Sequence, residues 1–520
     1  MYNLTQPLKT VAMAKPNKLA TIMGERQHTW SEMQDRVSRL AKGLRDLGVN
    51  QGDRVAMLSL NSDRYLEYYY AVWWSGGLVV PLNTRWSATE NAYALNDSGA
   101  KILLVDRAFS LQLDDIQKEA NGVKSVIFCD DGEVPAGMLD YEALIRGYQP
   151  CDDAERSGDD LAGIYYTGGT TGFPKGVMLS HQAIWYNNVV NSVNVNYNRG
   201  GAYLHAAPMF HLADGAYSGA TMSSGMTHVF LPTFDPQRAM DMVEQYSVTH
   251  TILVPTMWGM VLSHPQFDPE KLKSLHTCIY GASPMPEGLL SQLLEYFPNL
   301  NIIQGYGQTE MGPVITNLNA EDHREGFKQG GKLRSAGVAV PGVEVRICDE
   351  NGHDLANGEV GEIYARSPGA MSGYWNLPKQ TEQTLINGWV KTGDGAYRDE
   401  DGFIFIVDRV KDMIVSGGEN VFSAEVENAI STHPDVEAVA VIGIPSDKWG
   451  EAVHAIVIPK RDANLTEDSI FSHTKGKIAN YKQPRSVSFR EEAFPLSGAG
   501  KVLKRELREP YWQDKTSAVN

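Results

Sequence analysis

The 520-residue sequence is poor in cysteine and in positive charge, and both shortages narrow what it can be. Its four cysteines, Cys129, Cys151, Cys278 and Cys348, stand far apart and form no C-x-x-C pair, which excludes a zinc ribbon or a disulfide framework. Each reads as a small hydrophobe in a reducing compartment. Lys and Arg number 46 against 63 Asp and Glu, a formal net charge of −17. A chain this acidic is ill-suited to sequence-independent nucleic-acid binding, where cationic side chains must displace counterions from phosphates. Any anionic ligand must therefore be met by local positive groups. Neither H-E-x-x-H nor G-x-S-x-G occurs, so a zincin or an α/β-hydrolase with its usual signature is not indicated. There is no internal repeat or low-complexity tract. The stretch Met1–Lys9 has no apolar core behind a basic start and does not read as a signal peptide, so cytoplasmic residence is expected. The uncharged run from Tyr68 to Thr84 is broken by Gly76, Gly77 and Pro81 and is too short to span a bilayer. It reads as a buried helix that turns into a strand.

What is present fits an ordinary soluble protein: 42% apolar and 21% charged residues. At this length two or more domains are expected. Short Val/Ile/Leu-rich runs, Arg54–Leu60, Lys101–Val105, Ser125–Phe128, His228–Leu231, His250–Val254 and His276–Tyr280, predict buried strands. Helical spacing over Trp30–Leu47 and Pro286–Tyr296 predicts helices between them. Alternation of this kind implies an α/β fold with parallel-rich sheets and ligands at the carboxyl ends of strands. The loops Gly281–Ser283 and Gly305–Glu310 stand where such ligands bind, the second following a strand over Asn301–Gln304. From about Pro341 the pattern shifts to shorter strands and turns, which predicts a small β subdomain. Beyond Asp412 an α+β module is expected, with Ser423 capping a helix that carries Val426, Ala429 and Ile430 on one face, and two strands after it.

The segment Tyr165–Gly176 is the densest collection of phosphate-suited residues, with Thr167, Gly168, Gly169, Thr170, Thr171, Gly172 and Lys175. Glycines let backbone N–H groups nest around an anion, while hydroxyls and an ammonium add donors and charge. The segment is thus expected to hold ATP. It is not a Walker A loop, because Phe173 and Pro174 separate Gly172 from Lys175. An exposed flexible loop would have a similar composition.

Taken with Gly305-Tyr-Gly-Gln-Thr-Glu310, Lys391-Thr-Gly-Asp394, Asp408-Arg-Val-Lys-Asp412 and Pro495-Leu-Ser-Gly-Ala-Gly-Lys501, that segment closely resembles the adenylate-forming superfamily of acyl-CoA synthetases, adenylation domains and firefly luciferase. The resemblance runs over nearly the whole chain. It implies an N-terminal adenylation domain over 1–407, a hinge over 408–412 and a small mobile C-terminal domain over 413–520. It also implies a two-step reaction, in which a carboxylate first attacks the α-phosphate of ATP to give an acyl-AMP and pyrophosphate. Both reactants are anionic, so the work is positioning and electrostatics.

By the same resemblance Lys501 bridges carboxylate and α-phosphate, Thr309 donates to that phosphate, and Glu310 holds Mg²⁺. Asp394 with Arg409 is expected at the ribose, Gln304, Gly305 and Tyr306 at the nucleotide, and Gly281, Ala282 and Ser283 where adenine lies flat. Lys411 falls at the hinge. Ser416, Gly417 and Gly418 fall near the pantetheine and Trp449 near the nucleotide of coenzyme A, although a glycine turn and a core Trp fit those residues equally well. Phe210 and His211 match the gate of the acyl pocket, with Met257, Trp258, Gly312, Pro313 and Val314 as further lining. Amino-acid adenylation domains carry Asp where His211 stands, so an amino-acid substrate is not expected.

The chain departs from the pattern twice, with Gly168 where many members have Ser and Lys411 where many have Asp. The function implied is an AMP-forming acid:CoA ligase acting on a medium- or long-chain fatty acid or a hydroxycinnamate-like aryl acid. Its partners are ATP, Mg²⁺, coenzyme A and the acid, and family habit suggests a homodimer. A stand-alone ligase loading a carrier protein and a non-catalytic nucleotide-binding regulator are the competing readings. Retention of Lys501, Glu310 and Asp394 together argues against the regulator.

Overall fold

The computed structural model describes residues 2–168, 174–195, 200–283, 285–329, 331–409, 412–416, 419–446, 448–461, 463–496 and 502–512, with backbone alone for 327–329, 409, 419 and 420.

The uncharged aromatic run forms the centre of the fold. Helix Asp63–Ser75 is buried along its whole length, begins at Ser62, whose hydroxyl accepts the Tyr65 N–H, and ends at Gly76 in the left-handed region at φ +93°. The strand Leu78–Pro81 follows directly. So many aromatic rings can be buried because their polar atoms find partners. Tyr68 donates to the Val55 carbonyl and accepts from the Val80 N–H, Trp73 donates to Ala162, and Tyr69 donates to Met209 at 2.9 Å. The last of these ties the helix to the segment that carries His211.

Two large sheets enclose this helix. One has eight strands, with Arg54–Leu58, Leu78–Pro81, Ile102–Val105, Ser125–Phe128 and Leu161–Thr167 in its parallel part, and Lys175–Ser180 then Gly373–Tyr374 running antiparallel at one edge. The other has nine, with a parallel centre of Thr227–Phe230, Ala202–His205, His250–Ile252, Thr277–Gly281 and Asn301–Gly307. Antiparallel Val314–Leu318 and Val338–Ala339 extend it at one edge, and Leu19–Met23 with Arg26–Thr29 complete it at the other. The α/β expectation holds, and its parallel strands aim the glycine-bearing segments at one end, as such sheets do.

The element bounds differ in places. Gly305–Gly307 belong to the strand rather than to a loop after it, because Val314–Leu318 folds back and pairs with them. Strand His250–Ile252 stops two residues early, since Val254 caps the helix Pro255–Leu262.

A five-stranded antiparallel sheet, Glu344–Cys348, Gly361–Arg366, Leu385–Ile386, Trp389–Arg398 and Ile404–Arg409, forms the expected β-rich portion. A further five-stranded sheet is built wholly from residues after Asp412, with Val436–Ser446 and Gly450–Pro459 as its long hairpin and helix Ser423–Ser431 packed on it. Here the cap differs from expectation. Phe422 occupies the cap position and Ser423 is the first helical residue, because its N–H and hydroxyl are both taken by the Asp408 carboxylate at 2.5 Å. No helix among the described residues is long and apolar enough to cross a membrane.

Candidate active site

The described ends of the phosphate-suited segment are two paired strands. Leu161–Thr167 and Lys175–Ser180 pair antiparallel with Thr167 opposite Lys175, and Gly168 is exposed beyond them. Gly169, Thr170, Thr171 and Gly172 lie outside the described residues. The Lys175 ammonium stands 4.6 Å over the ring of Tyr374, which the edge strand Gly373–Tyr374 brings alongside. The Tyr374 hydroxyl donates to Glu310 Oε1 at 2.9 Å, and the Met371 N–H donates to the Glu310 carbonyl at 2.8 Å. Burial, reinforced by the Glu310 charge, pushes the Tyr374 phenol well up, so it remains a donor. Thr309 is buried in the one-turn helix Thr309–Met311, next to Glu310. A lysine, a carboxylate and a tyrosine that donates to the carboxylate are thereby gathered from three separated stretches of chain.

Just before that one-turn helix in the chain, the Tyr306 hydroxyl donates to Asp394 Oδ2 at 2.8 Å. Asp394 is buried in Trp389–Arg398, directly across from Arg409 in the neighbouring strand. The Thr392 hydroxyl holds the Asp394 N–H. Gly281 pairs with Gly305, and a Cβ on Gly281 would stand 2.5 Å from the Gly305 carbonyl oxygen, so only glycine allows the two strands this approach. Ala282 follows with φ +65°, a left-handed conformation that is costly for a residue with a Cβ and gathers at functional sites. Ser283 stands beside it, half-buried, and Gln304 accepts from the Tyr280 hydroxyl at 3.2 Å.

His211 caps the helix Leu212–Ser224, its Nδ1 accepting the Ala213 N–H at 3.0 Å. In the neutral ring that contact leaves the proton on Nε2. The segment before it is splinted by Asn61, which donates to the His205 and Ala207 carbonyls and accepts the Met209 N–H. Phe210 is buried beside it. Just inside the helix, Asp214 accepts from Tyr203 and pairs with His205 Nδ1 at 2.6 Å, and His205 Nε2 meets His228 Nδ1 at 2.9 Å. Burial, then the neighbouring His205, depress the His228 imidazole far below its usual value and keep it neutral.

Gly312 takes φ +79° and lies so close to Gly369 that a Cβ would come within 2.5 Å of its carbonyl. Pro313 follows it, and Val314 is buried with Met311 and Ile315. Met257 and Trp258 do not join this group. They pack on the opposite face of the nine-stranded sheet with Cys278 and Ile302, and the Trp258 indole donates to Cys278 Sγ at 3.2 Å. The side of the sheet on which the helix Pro255–Leu262 packs, which the sequence run around Pro255 does not reveal, puts them there.

The sequence profile of AMP-binding enzymes matches residues 8–375, and that of the AMP-binding enzyme C-terminal domain matches residues 425–501. The chain belongs to this family. A feruloyl-CoA synthase of Amycolatopsis sp is 38% identical over 506 residues, 97% of this chain and 98% of that protein. The medium/long-chain-fatty-acid–CoA ligase FadD8 of Mycobacterium tuberculosis is 35% identical over 524 residues, 97% of this chain and 89% of that one. Among solved structures, the anthranilate CoA ligase AuaEII in complex with anthranoyl-AMP superposes with a TM-score of 0.89 at 26% identity, covering 98% of this chain and 97% of that one. The protein is an AMP-forming acid–thiol ligase of the adenylate-forming superfamily.

In this AMP-binding enzyme Lys411, Gly417, Gly418 and Lys501 lie outside the described residues, and Arg409 is described by its backbone only. Ser416 is buried in the C-terminal sheet opposite Glu419. Trp449 is half-buried, with the Lys448 ammonium 4.6 Å from its ring and the Arg485 guanidinium 5.5 Å away. Among the described residues no cluster of three or more His, Cys, Asp or Glu could by itself hold a metal. Sequence reasoning did not single out Tyr374 or Asn61. Tyr374 lies 64 residues from the carboxylate it orients, and no spacing rule links two such positions.

Proposed function

We propose that this ligase joins a carboxylic acid to coenzyme A in two steps within one site. In the first, a carboxylate oxygen attacks the α-phosphate of ATP and pyrophosphate leaves with the bonding electrons, giving the acyl-AMP. In the second, the thiol of coenzyme A attacks the acyl carbon, its proton is lost to solvent, and AMP leaves. The observation that carries the reading is the arrangement around Thr309–Met311. Within it Glu310 accepts from Tyr374, whose ring lies under Lys175, and just before it in the chain Tyr306 is hydrogen-bonded to Asp394. A triphosphate between the Tyr165–Gly176 segment and Glu310 would place its ribose toward Asp394 and Arg409, and its adenine against Tyr306 and the Gly281–Ser283 segment.

Glu310 suits Mg²⁺. It offers a half-buried carboxylate already oriented by one donor, and Mg²⁺ asks a protein for one or two carboxylates while phosphates and water complete its shell. When bound, Mg²⁺ would screen the charge of the departing pyrophosphate. Lys501, presented by a module beginning near residue 413 and turning about Lys411, would neutralise the α-phosphate as the acid approaches. The cation-flanked Trp449 fits the nucleotide end of coenzyme A, and Ser416 with Gly417 and Gly418 the pantetheine. His211 Nε2–H and Phe210 would meet the acid. The acid is aryl or fatty, by the likeness to the feruloyl and fatty-acid ligases. We take the enzyme as cytoplasmic and dimeric, the second point being tested by sedimentation of the purified protein. The catalytic reading is tested by pyrophosphate release from ATP across a panel of aryl and aliphatic acids, with and without free coenzyme A. Release that requires an acid, and acyl-CoA that appears with free coenzyme A, support it; release without an acid, or thioester formed only on a carrier protein, overturns it.

A further inference from the structure

One buried amide beside the glycine strand is satisfied by nothing. Asn317 is 7% exposed, and neither its Oδ1 nor its Nδ2 has a hydrogen-bond partner among the described residues. Buried amides are normally paired, because an unmet donor and acceptor both forfeit their bonds to water. Asn317 sits directly opposite Gly305 in the antiparallel pair, so its side chain shares a face with the missing side chain of Gly305. On that face a Cβ at Gly305 would meet only the Tyr217 hydroxyl at 3.3 Å and Asn317 Oδ1 at 3.7 Å. Tyr217 belongs to the helix capped by His211, and its ring packs with Ile279 and Ile303 on the same side of the sheet. Gly305 itself is half-exposed.

The dimensions bound the length of the acid. Tyr217 lies six positions past His211, which is about 9 Å along the helix. An arylpropenoate spans a comparable length from its carboxylate to the substituent on the far side of its ring. Gly305 carries no side chain on that face, so a ring hydroxyl can approach its backbone between Tyr217 and Asn317. The far end of the space is lined by an amide and a phenol. An alkyl tail would cover those groups without replacing their hydrogen bonds, whereas a ring hydroxyl both donates and accepts and can satisfy Asn317 and Tyr217 together.

Resting on the ligase reading above, we infer that Asn317 and Tyr217 select the acid, and that the preferred substrates are aryl acids with a hydroxyl on the ring, the hydroxycinnamates, rather than fatty acids. His211 and the nucleotide groups act on every acid alike; Asn317 distinguishes among them.

The test compares kcat/KM for pyrophosphate release by the full-length protein with 4-hydroxycinnamate, cinnamate, octanoate and 8-hydroxyoctanoate. We expect 4-hydroxycinnamate to exceed cinnamate by on the order of tenfold, the worth of one net hydrogen bond, and to exceed both aliphatic acids by more. In Asn317→Leu, a change of similar volume, the preference for the ring hydroxyl collapses toward one because the value for 4-hydroxycinnamate falls further than that for cinnamate. Tyr217→Phe reduces the same ratio in part and does not depend on the first variant folding. An aliphatic preference in the unaltered protein, or a hydroxyl ratio unmoved in folded Asn317→Leu, overturns the inference and leaves the ligase reading standing. Failure to adenylate any acid overturns the ligase reading, and the inference with it.

Discussion

Removing one oxygen from Tyr374 isolates the contact that orients Glu310. In Tyr374→Phe the ring stays in place beneath the Lys175 ammonium, at 4.6 Å, and only the donor to Glu310 Oε1, at 2.9 Å, is lost. Hydrogen bonds to a charged group contribute roughly 1.5–3 kcal/mol. Because Glu310 is half-exposed, water can replace part of the loss, and the lower end applies. A loss of about 1.5 kcal/mol is about tenfold in an equilibrium constant. If Glu310 holds the metal of MgATP, that factor falls on the KM for MgATP, measured by pyrophosphate release at saturating acid, while the KM for the acid stays within about twofold. Thermal stability should fall by only about 1 kcal/mol, since the oxygen lost is one buried neutral donor. The phenol's raised pKa also means that the donor persists, so the difference between the two proteins should be level from pH 6 to 9. An unchanged KM for MgATP in a stably folded variant would refute the assignment. So would a penalty that fades as pH rises toward 9.

Other perturbations separate structure from chemistry. Gly281→Ala should cost about 1–3 kcal/mol of stability through overpacking and raise the KM for ATP, since its Cβ would stand 2.5 Å from the Gly305 carbonyl oxygen; an unaltered melting temperature and KM would contradict the close approach. Lys501→Ala should abolish adenylation far more than it slows thioester formation from supplied acyl-AMP, and equal loss in both half-reactions would remove the lysine from its proposed role. Burial raises the Glu142 carboxyl, but Arg36 and then Arg64 outweigh it and bring the value down to about 2 from 4.5. A depressed folded-state value means that this stability is complete above about pH 4.5 and is lost as pH falls toward 2, on the order of 3 kcal/mol in all. Denaturant melts of Glu142→Gln and the unaltered protein should therefore converge below pH 4.5; a gap constant from pH 7 to 3 would show that the arginines do not hold this carboxylate.

The parts of the candidate site most legible in the sequence were those whose pattern is local. The Tyr165–Gly176, Tyr306-to-Glu310 and Lys391–Asp394 runs each announce themselves within a few residues, because backbone approach to a phosphate requires glycine and hydroxyl neighbours at short range. The helix-to-strand passage from Tyr68 to Pro81 was equally legible, since Gly76 and Gly77 break it at the turn. The packing of Trp258 was not legible, for the opposite reason. Whether a helix after a strand packs on one face of a sheet or the other depends on the order and direction of crossovers, which local composition does not encode. Ser423 was misread as a cap because the atom that claims its N–H belongs to Asp408, in a different sheet.

By itself, the sequence determined the chemistry available to this protein: a lysine and glycines for phosphate, acidic residues suited to metal and ribose, too little positive charge for nucleic acid, and an alternating α/β chain. These are properties of residue type and short spacing, and they survive in one dimension. Only the tertiary structure decided which of those residues converge. It brought Tyr374 to Glu310 across 64 positions, Tyr306 to Asp394 across 88, and Asn317 to face the empty side of Gly305 in the adjoining strand. Strand register and helix packing create those meetings, and they depend on the whole chain folding at once.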